Sequence, residues 1–586
     1  MTAFTDLLAS AESEKHFLVR LDFWDITDEV IVSEYFSTHG FVSEPADTPA
    51  NQYYDARLAR PLDYQRRLSL ADFLAGVAFP EAGTIKLNNN DGGLDHFADY
   101  ASSGRRVRIW LGGVDFALSD FGLIADATAD GHDFDDEFIT INIRNPQFVF
   151  DKEIQSSRYA GSGGAEGNSD VANQLKVRTY GVCRNVPLKY LGLSGGGLHQ
   201  LAASDGAIIG ILKLRNYGLP SSDAAGLQFT SSATPGAAEW TYDCSNGIIT
   251  LGGAYEGPFG ADVIGKRYLS ATSTTSNTVG TGSKTWTVTA GLALPVGAAV
   301  RVGRTAALHS TWMDGTITTY SGTSLTINCT SSLGSGTHTD WTISPWGTAA
   351  GIIKDIATTF GVTSFDTATF TALDTAQPAS VGWHLPAGGN GLQIVGDIAK
   401  GAGVFAGFDR AGQFEVGRVA APSSPSESYT VSQVIDGSFD RVELDPPPYQ
   451  FVVRYQKNWS VLSSSDIVGA VSEADRTFLL NEWRLSTPVT DNDILTAFPQ
   501  SQAIEYDSIF DSSSVAAAEA TRLAGLFGVV RNYFNMKFKV QPLARDLNQT
   551  VNLTYPRHGL NAGENLLLVD IGEDMEKLEV STGLWG

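Results

Sequence analysis

The chain has 586 residues, 42% hydrophobic and 18% charged, which allows several cores and suggests roughly three to five domains at about 100–200 residues each. Its net charge is −25, from 65 acidic against 40 basic residues, so it lacks the basic footprint needed to grip nucleic acid or an anionic membrane surface. Three cysteines (Cys183, Cys244, Cys329) make neither a disulfide framework nor a four-thiolate metal or iron–sulfur centre, and are expected as reduced thiols within strands. Abundant Gly, Ser and Thr favour short strands and tight turns, so the expected class is mainly β. Met1–Lys15 lacks the apolar core of a signal peptide, and no run approaches the about 18 apolar residues of a membrane helix. A soluble protein assembled in a reducing cytoplasm is expected.

In residues 1–155, Phe17, Val19, Leu21 and Phe23 alternate with Leu18, Arg20 and Asp22, the period of a strand. Val107, Ile109 and Leu111 run into Gly112-Gly113 and then Val114–Leu118, which predicts a tight hairpin at the two glycines. Ile139, Ile141 and Ile143 supply another strand. Residues 1–150 hold 25 acidic against 11 basic side chains. A Gly/Ser-rich loop at 156–173 leads into a small β domain, 174–265, with turns at Ser204-Asp205-Gly206 and Ser245-Asn246-Gly247. Residues 266–346 change composition abruptly: 2 acidic, 5 basic and 30 Ser or Thr in 81 positions. This reads as an inserted β-sandwich-like module. In 347–422, Ile352, Ile353, Ile356 and Phe360 recur at helical spacing and stop at Gly361, and Leu392, Ile394, Val395 and Ile398 predict a second helix. A hairpin turning at Asp409–Gly412 completes an α+β domain. Beyond a Pro/Ser linker at 423–428, residues 429–586 alternate again at Phe534, Met536, Phe538 and Val540, with a helix predicted at about 512–527.

Few constellations point to chemistry. The acidic run Asp130-Gly-His-Asp-Phe-Asp-Asp-Glu137 suits a solvated hairpin tip, with calcium as the other reading; its spacing is not that of a helix–loop–helix calcium loop. Gly161–Gly167 lacks the Lys-Ser/Thr and the strand–helix context of a phosphate loop. Gly192-Leu-Ser-Gly195 is not a nucleophile elbow, and Cys183 has no evident His base. The 9 histidines form no metal-ligand pairs. The expectation is no catalytic residue, no cofactor and no metal. Trp286, Trp312 and Trp341 of the inserted module can pack in its core or stack on sugar rings, and so are the candidate glycan-binding residues.

Several motifs resemble one family. Tyr180-Gly-Val-Cys-Arg-Asn-Val-Pro-Leu188, with Asp205-Gly206 and Tyr217-Gly218-Leu219, resembles a segment common in siphophage tail-tip, or baseplate hub, proteins. Asn552-Leu-Thr-Tyr-Pro-Arg-His-Gly-Leu560, Ala562-Gly563 and Leu584-Trp-Gly586 are similar to the same proteins. Gly282–Val288, Val300-Arg-Val302 and Met313–Ile317 resemble small β modules of phage tail proteins. The resemblance implies two tube-like β-barrels, 1–155 and 429–586, flanking the smaller β and α+β domains. It further implies a structural homotrimer whose barrels ring the DNA exit channel and adapt a sixfold tail tube to a threefold tip. The partners would be a hexameric distal tail protein, a tape measure protein, a central fibre or spike protein, and passing genomic DNA without specific binding. The site would be the distal end of the virion tail, and the acidic first domain would turn negative charge toward the channel. Many hub proteins extend into fibre, spike or peptidase parts, whereas this sequence stops at Gly586. The alternatives are a receptor- or glycan-binding tail fibre protein, with 266–346 meeting host glycan, and a glycan hydrolase, for which no acid/base pair stands out.

Overall fold

The computed structural model describes residues 3–10, 13–68, 76–77, 79–80, 83–221, 223 and 226–586. The chain is mainly β and multidomain, as expected. The strands used below are β1 (Lys15–Asp25), β2 (Val30–Ser37), β3 (Leu58–Arg67), β4 (Gly83–Asn88), β5 (Arg106–Gly113), β6 (Gly122–Phe134) and β7 (Phe138–Arg144). Later in the chain come β8 (Phe405–Phe408), β9 (Phe414–Gly417), β10 (Asp440–Val442), β11 (Tyr533–Phe538), β12 (Glu564–Asp574) and β13 (Glu579–Trp585).

Alternation decides the strand faces. In β1, Phe17, Val19, Leu21 and Phe23 are buried while Arg20, Asp22 and Trp24 turn outward. The segments expected as two barrels meet edge to edge. One fifteen-stranded sheet runs β2-β1-β5-β6-β7-β4-β3-β12-β13-β11-β10, and β3 pairs antiparallel with β12, Arg66 opposite Ile571. Beneath this seam a single hydrophobic cluster contains Phe17, Ile109 and Ile141 from the N-terminal part and Phe534, Leu566 and Trp585 from the C-terminal part. Each such buried side chain contributes about 1.5–3 kcal/mol of transfer free energy, so the two ends of the chain stabilise each other.

The hairpin predicted at Gly112-Gly113 is not there. Both glycines continue β5, paired with His16 and Lys15, and the chain turns only after them. A Cβ on Gly112 would lie 2.5 Å from the Phe121 ring, and one on Gly113 2.9 Å from Phe116. Glycine serves close approach of aromatic rings here, not positive φ.

Residues 178–266 form two five-stranded sheets around one core of Val186, Ile211, Trp240, Ile249 and Val263. One of these sheets takes its edge strand, Gly382–Leu385, from the helical region. Residues 271–345 form a six-stranded antiparallel sheet with its own core. The predicted helices occur at Ala349–Thr359, Gly391–Gly401 and Ser513–Phe527. Thr348 caps the first and Asn390 the second through their side-chain oxygens. A further helix, Thr367–Ala376, escaped the periodicity because its buried apolar side chains are only Phe370 and Leu373. Gln450–Tyr455 and Ala503–Asp507 belong to a separate four-stranded sheet under the Ser513–Phe527 helix.

Candidate assembly site

Charge is buried at the middle of the long sheet. On β3 and β12 the core-facing positions next to the seam are Arg66, 5% exposed, and Glu573, 2% exposed. The two attract each other across the seam, and both are also met from below. Arg66 Nη1 lies 2.7 Å from Asp546 Oδ1, and Arg410 Nη1 lies 2.5 Å from Glu573 Oε1. Glu573 accepts no directed hydrogen bond among the described residues, so its contact with Arg410 is Coulombic. Arg410 sits in the β8–β9 turn, Asp409–Gly412. Its guanidinium donates to Ile124 O (3.0 Å) and Arg545 O (3.3 Å), its own N–H donates to Asp546 Oδ2 (3.2 Å), and its carbonyl accepts from the Asp126 N–H (3.0 Å). One turn thus ties the helical region to β6, to β12 and to the loop before the C-terminal strands.

The cluster holds four carboxylates (Asp409, Glu415, Asp546, Glu573) against two guanidiniums. Burial, with Asp546 adding repulsion, pushes the Asp409 carboxyl up to about 6. Burial, then Asp546 and Asp409, push Glu415 up to about 8. Asp546 is buried too, yet Arg66 and Arg410 hold it below the usual carboxylate range. A cavity of about 10 Å³ lies against Tyr64, Arg66, Asn145, Asp409 and Arg410. The site is not legible in the sequence because its members are spread from Arg66 to Glu573 and the only local signal, at those two, is a charge at a core-phase position of a strand.

The opposite face of the sheet carries charge-paired side chains beside an apolar cluster of Leu18, Tyr35, Trp110 and Phe121. Arg20, Arg108 and Asp126 lie in one row across β1, β5 and β6, and Lys86 of β4 lies opposite Thr140 of β7. Arg20 Nε meets Asp22 Oδ1 at 2.9 Å, and Arg144 Nη1 meets Asp130 Oδ1 at 3.0 Å. Much of the acidic excess of 1–150 lies in turns instead, at Asp28, Glu29, Asp91, Asp135, Asp136 and Glu137.

Both ends of the sheet are strand edges. At one end, β2 exposes Val30 (49%) and Ile31 (60%) beside Ile26 in the β1–β2 turn. At the other, β10 pairs among the described residues only with β11 and borders a groove of roughly 1230 Å³ lined by Leu444, Pro446–Pro448, Phe498, Val529 and Val530. Val530 is 61% exposed.

The candidate glycan residues are placed as follows. Trp286 and Trp341 are buried in the module core and pack edge to face at 6.4 Å, so neither indole face is open to a sugar ring. Trp312 is half-buried, with the Arg301 guanidinium 4.0 Å above its ring. Arg301 is in turn clamped to Asp314 by two hydrogen bonds of 2.7 Å. The acidic run 130–137 spans the end of the β6–β7 hairpin, where Asp135 accepts from the backbone N–H groups of Glu137 (2.8 Å) and Phe138 (2.7 Å). All three cysteines are buried thiols; Cys183 and Cys329 lie in strands and Cys244 in a turn. Burial pushes the Cys183 thiol well above its ordinary range.

No family model matches the sequence, and no curated protein matches it. Among solved structures, the chain is similar to a 43 kDa tail protein of prophage MuSo2 from Shewanella oneidensis, at 9% identity over 97% of each chain with a TM-score of 0.37. It is also similar to a chain in the virion of a native gene transfer agent particle, at 12% identity over 75% of this chain and 91% of that one, TM-score 0.39. A tail protein from Neisseria meningitidis MC58 matches at 10% identity over 54% of this chain and 96% of that one, TM-score 0.27.

Proposed function

We propose that this chain is a non-enzymatic structural subunit of a bacteriophage-type tail, the hub of the tail tip, acting as a homotrimeric ring around the DNA exit path. The observation that carries this reading is the continuous sheet, which joins the two ends of the chain and finishes in two different edge strands, β2, bridged on its outer side only at Asp55 among the described residues, and β10. Different edges joined head to tail form a heterologous contact, which closes into a ring when the rotation allows. Apolar side chains beside each edge supply area for that contact. The motifs that resemble hub proteins lie in the small β unit, in residues 552–563 just before β12, and at the end of β13. On this reading the neighbours are a distal tail protein hexamer, the tape measure protein and a central fibre or spike. A channel wall made from the sheet face that carries the charge-paired side chains lets DNA pass without a strong attractive patch.

Copy counting and localisation in purified particles test the proposal. Three copies at the distal end of the tail support it; six or more copies on lateral appendages overturn it.

A further inference from the structure

We propose that residues 456–483 form a strap that clasps the small β unit to the C-terminal four-stranded sheet. The strap is pinned by Asn458 and releases as one body while the sheets on either side stay folded. The inference concerns the single chain and does not depend on its assembly into a tail.

The strap is the excursion between the strands Gln450–Tyr455 and Arg484–Leu485, and it holds one short helix, Glu473–Leu480. It lands on two stretches of the small β unit, Tyr180–Leu188 and Tyr217–Leu219. In the first, the strand Arg178–Pro187 shifts register between Cys183 and Val186, and Asn185 there has a left-handed φ of 49°. Asparagine tolerates that conformation better than most residues, and a bulge re-aims the side chain it carries. Asn185 Nδ2 donates to Asn458 Oδ1 (2.9 Å) and to Ser460 O (2.6 Å). Asn458 Nδ2 donates in turn to Phe478 O (3.2 Å), Leu479 O (3.1 Å) and Asn481 O (3.1 Å), carbonyls at the end of the strap's helix. Both asparagines are buried. One amide thus ties the two ends of the strap to each other and to the bulge. In the second stretch, Tyr217 O accepts from the Val468 N–H (3.1 Å), and a Cβ on Gly218 would lie 2.7 Å from Leu479 Cδ1.

The strap carries its own small apolar cluster, Ile467, Val471, Phe478 and Leu479, against which Leu219 packs. That cluster is distinct from the cores of the two sheets it joins. A segment with few buried apolar contacts opens at lower free energy than core strands do. Two other links hold the small β unit when the strap opens. Arg184 Nε donates to Asp511 Oδ1 at 2.7 Å, and the strand Gly382–Leu385 stays paired with Arg178–Gly181.

Hydrogen exchange on the full chain reads the release. In the parent, amides of 458–481 should exchange through one shared opening, faster than those of Gln450–Tyr455 and Ile208–Asn216. Asn458→Asp keeps the shape but turns a carboxylate oxygen toward three carbonyls. It should raise exchange in peptides covering 456–483 and 217–219 by about tenfold or more, the scale of leaving buried partners unsatisfied. Peptides of Gln450–Tyr455 and of β1 should stay level. A parent in which 458–481 exchanges no faster than Gln450–Tyr455 overturns the proposal. So does a variant with no rise, or with a rise that spreads equally into both sheets. If Asn458→Asp does not fold, Asn185→Asp must give the same pattern, and the parent's profile still decides by itself.

Discussion

Arg66 Nη1 and Asp546 Oδ1 lie 2.7 Å apart beneath the strand pair that joins the N-terminal and C-terminal parts of the chain. The Arg66 side chain is 6% exposed and that of Asp546 22%, so the pair is held largely away from water. Removing one partner of a buried pair leaves a stranded charge and costs about 3–5 kcal/mol, whereas replacing both by apolar residues of similar volume is close to neutral. Arg66→Ala should therefore lower unfolding stability by about that amount. The double variant Arg66→Met, Asp546→Leu should recover most of it. Urea unfolding followed by tryptophan fluorescence measures both; equal losses in the two proteins would contradict a stranded-charge cause.

Gly112 tests whether strand β5 is set by ring packing. Alanine there places a methyl group 2.5 Å from Phe121, an overpacking of the kind that costs about 1–3 kcal/mol. Combining Gly112→Ala with Phe121→Leu should restore part of the loss, read as the midpoint of thermal unfolding. A turn glycine would show no such rescue.

Trp286 is wholly buried between the strands of the 271–345 sheet. Trp286→Ala should destabilise the protein by about 3–5 kcal/mol, the range for deleting a large core aromatic. Calorimetry of the full chain should show the change in one transition while the core built from Phe17, Ile109 and Leu566 unfolds as before. A stability within about 0.5 kcal/mol of the parent, the range of a surface substitution, would mean that the indole is not core.

The cysteines should be silent in the native state. Burial pushes Cys244 and Cys329 up to about 11, and pushes Cys183 well above its ordinary range. At pH 8 the thiolate, which is the reactive form, is therefore scarce as well as shielded. A thiol reagent should titrate none of them before denaturation and three after it. Rapid native labelling at any one would contradict the burial described.

Much of the local structure was legible in the sequence. Period-two alternation marked β1, β5, β7 and β11, and helical spacing at Ile352–Phe360 and Leu392–Ile398 marked two helices, because one-sided burial writes its period into neighbouring residues. Within the compositional island at 266–346 the described strands pair only among themselves. Reading failed where the cause was not local. Gly112-Gly113 looks like a turn, and only the rings of Phe121 and Phe116, brought over the strand by the fold, make it part of β5. The helix 367–376 has too few buried apolar side chains to declare itself.

The sequence by itself determined that this is an acidic, mainly β chain with short strands, two clear helices in its middle and three unpaired cysteines. The tertiary structure alone decided that its two ends share one sheet, that Arg66, Arg410, Asp546 and Glu573 meet beneath the join, and that Trp286 and Trp341 face inward. The reason is physical: periodicity reports whether a residue faces a core, but not which distant segment supplies the other wall of that core. Strand partners such as Arg66 and Ile571, some 500 positions apart, leave no mark on each other's neighbours.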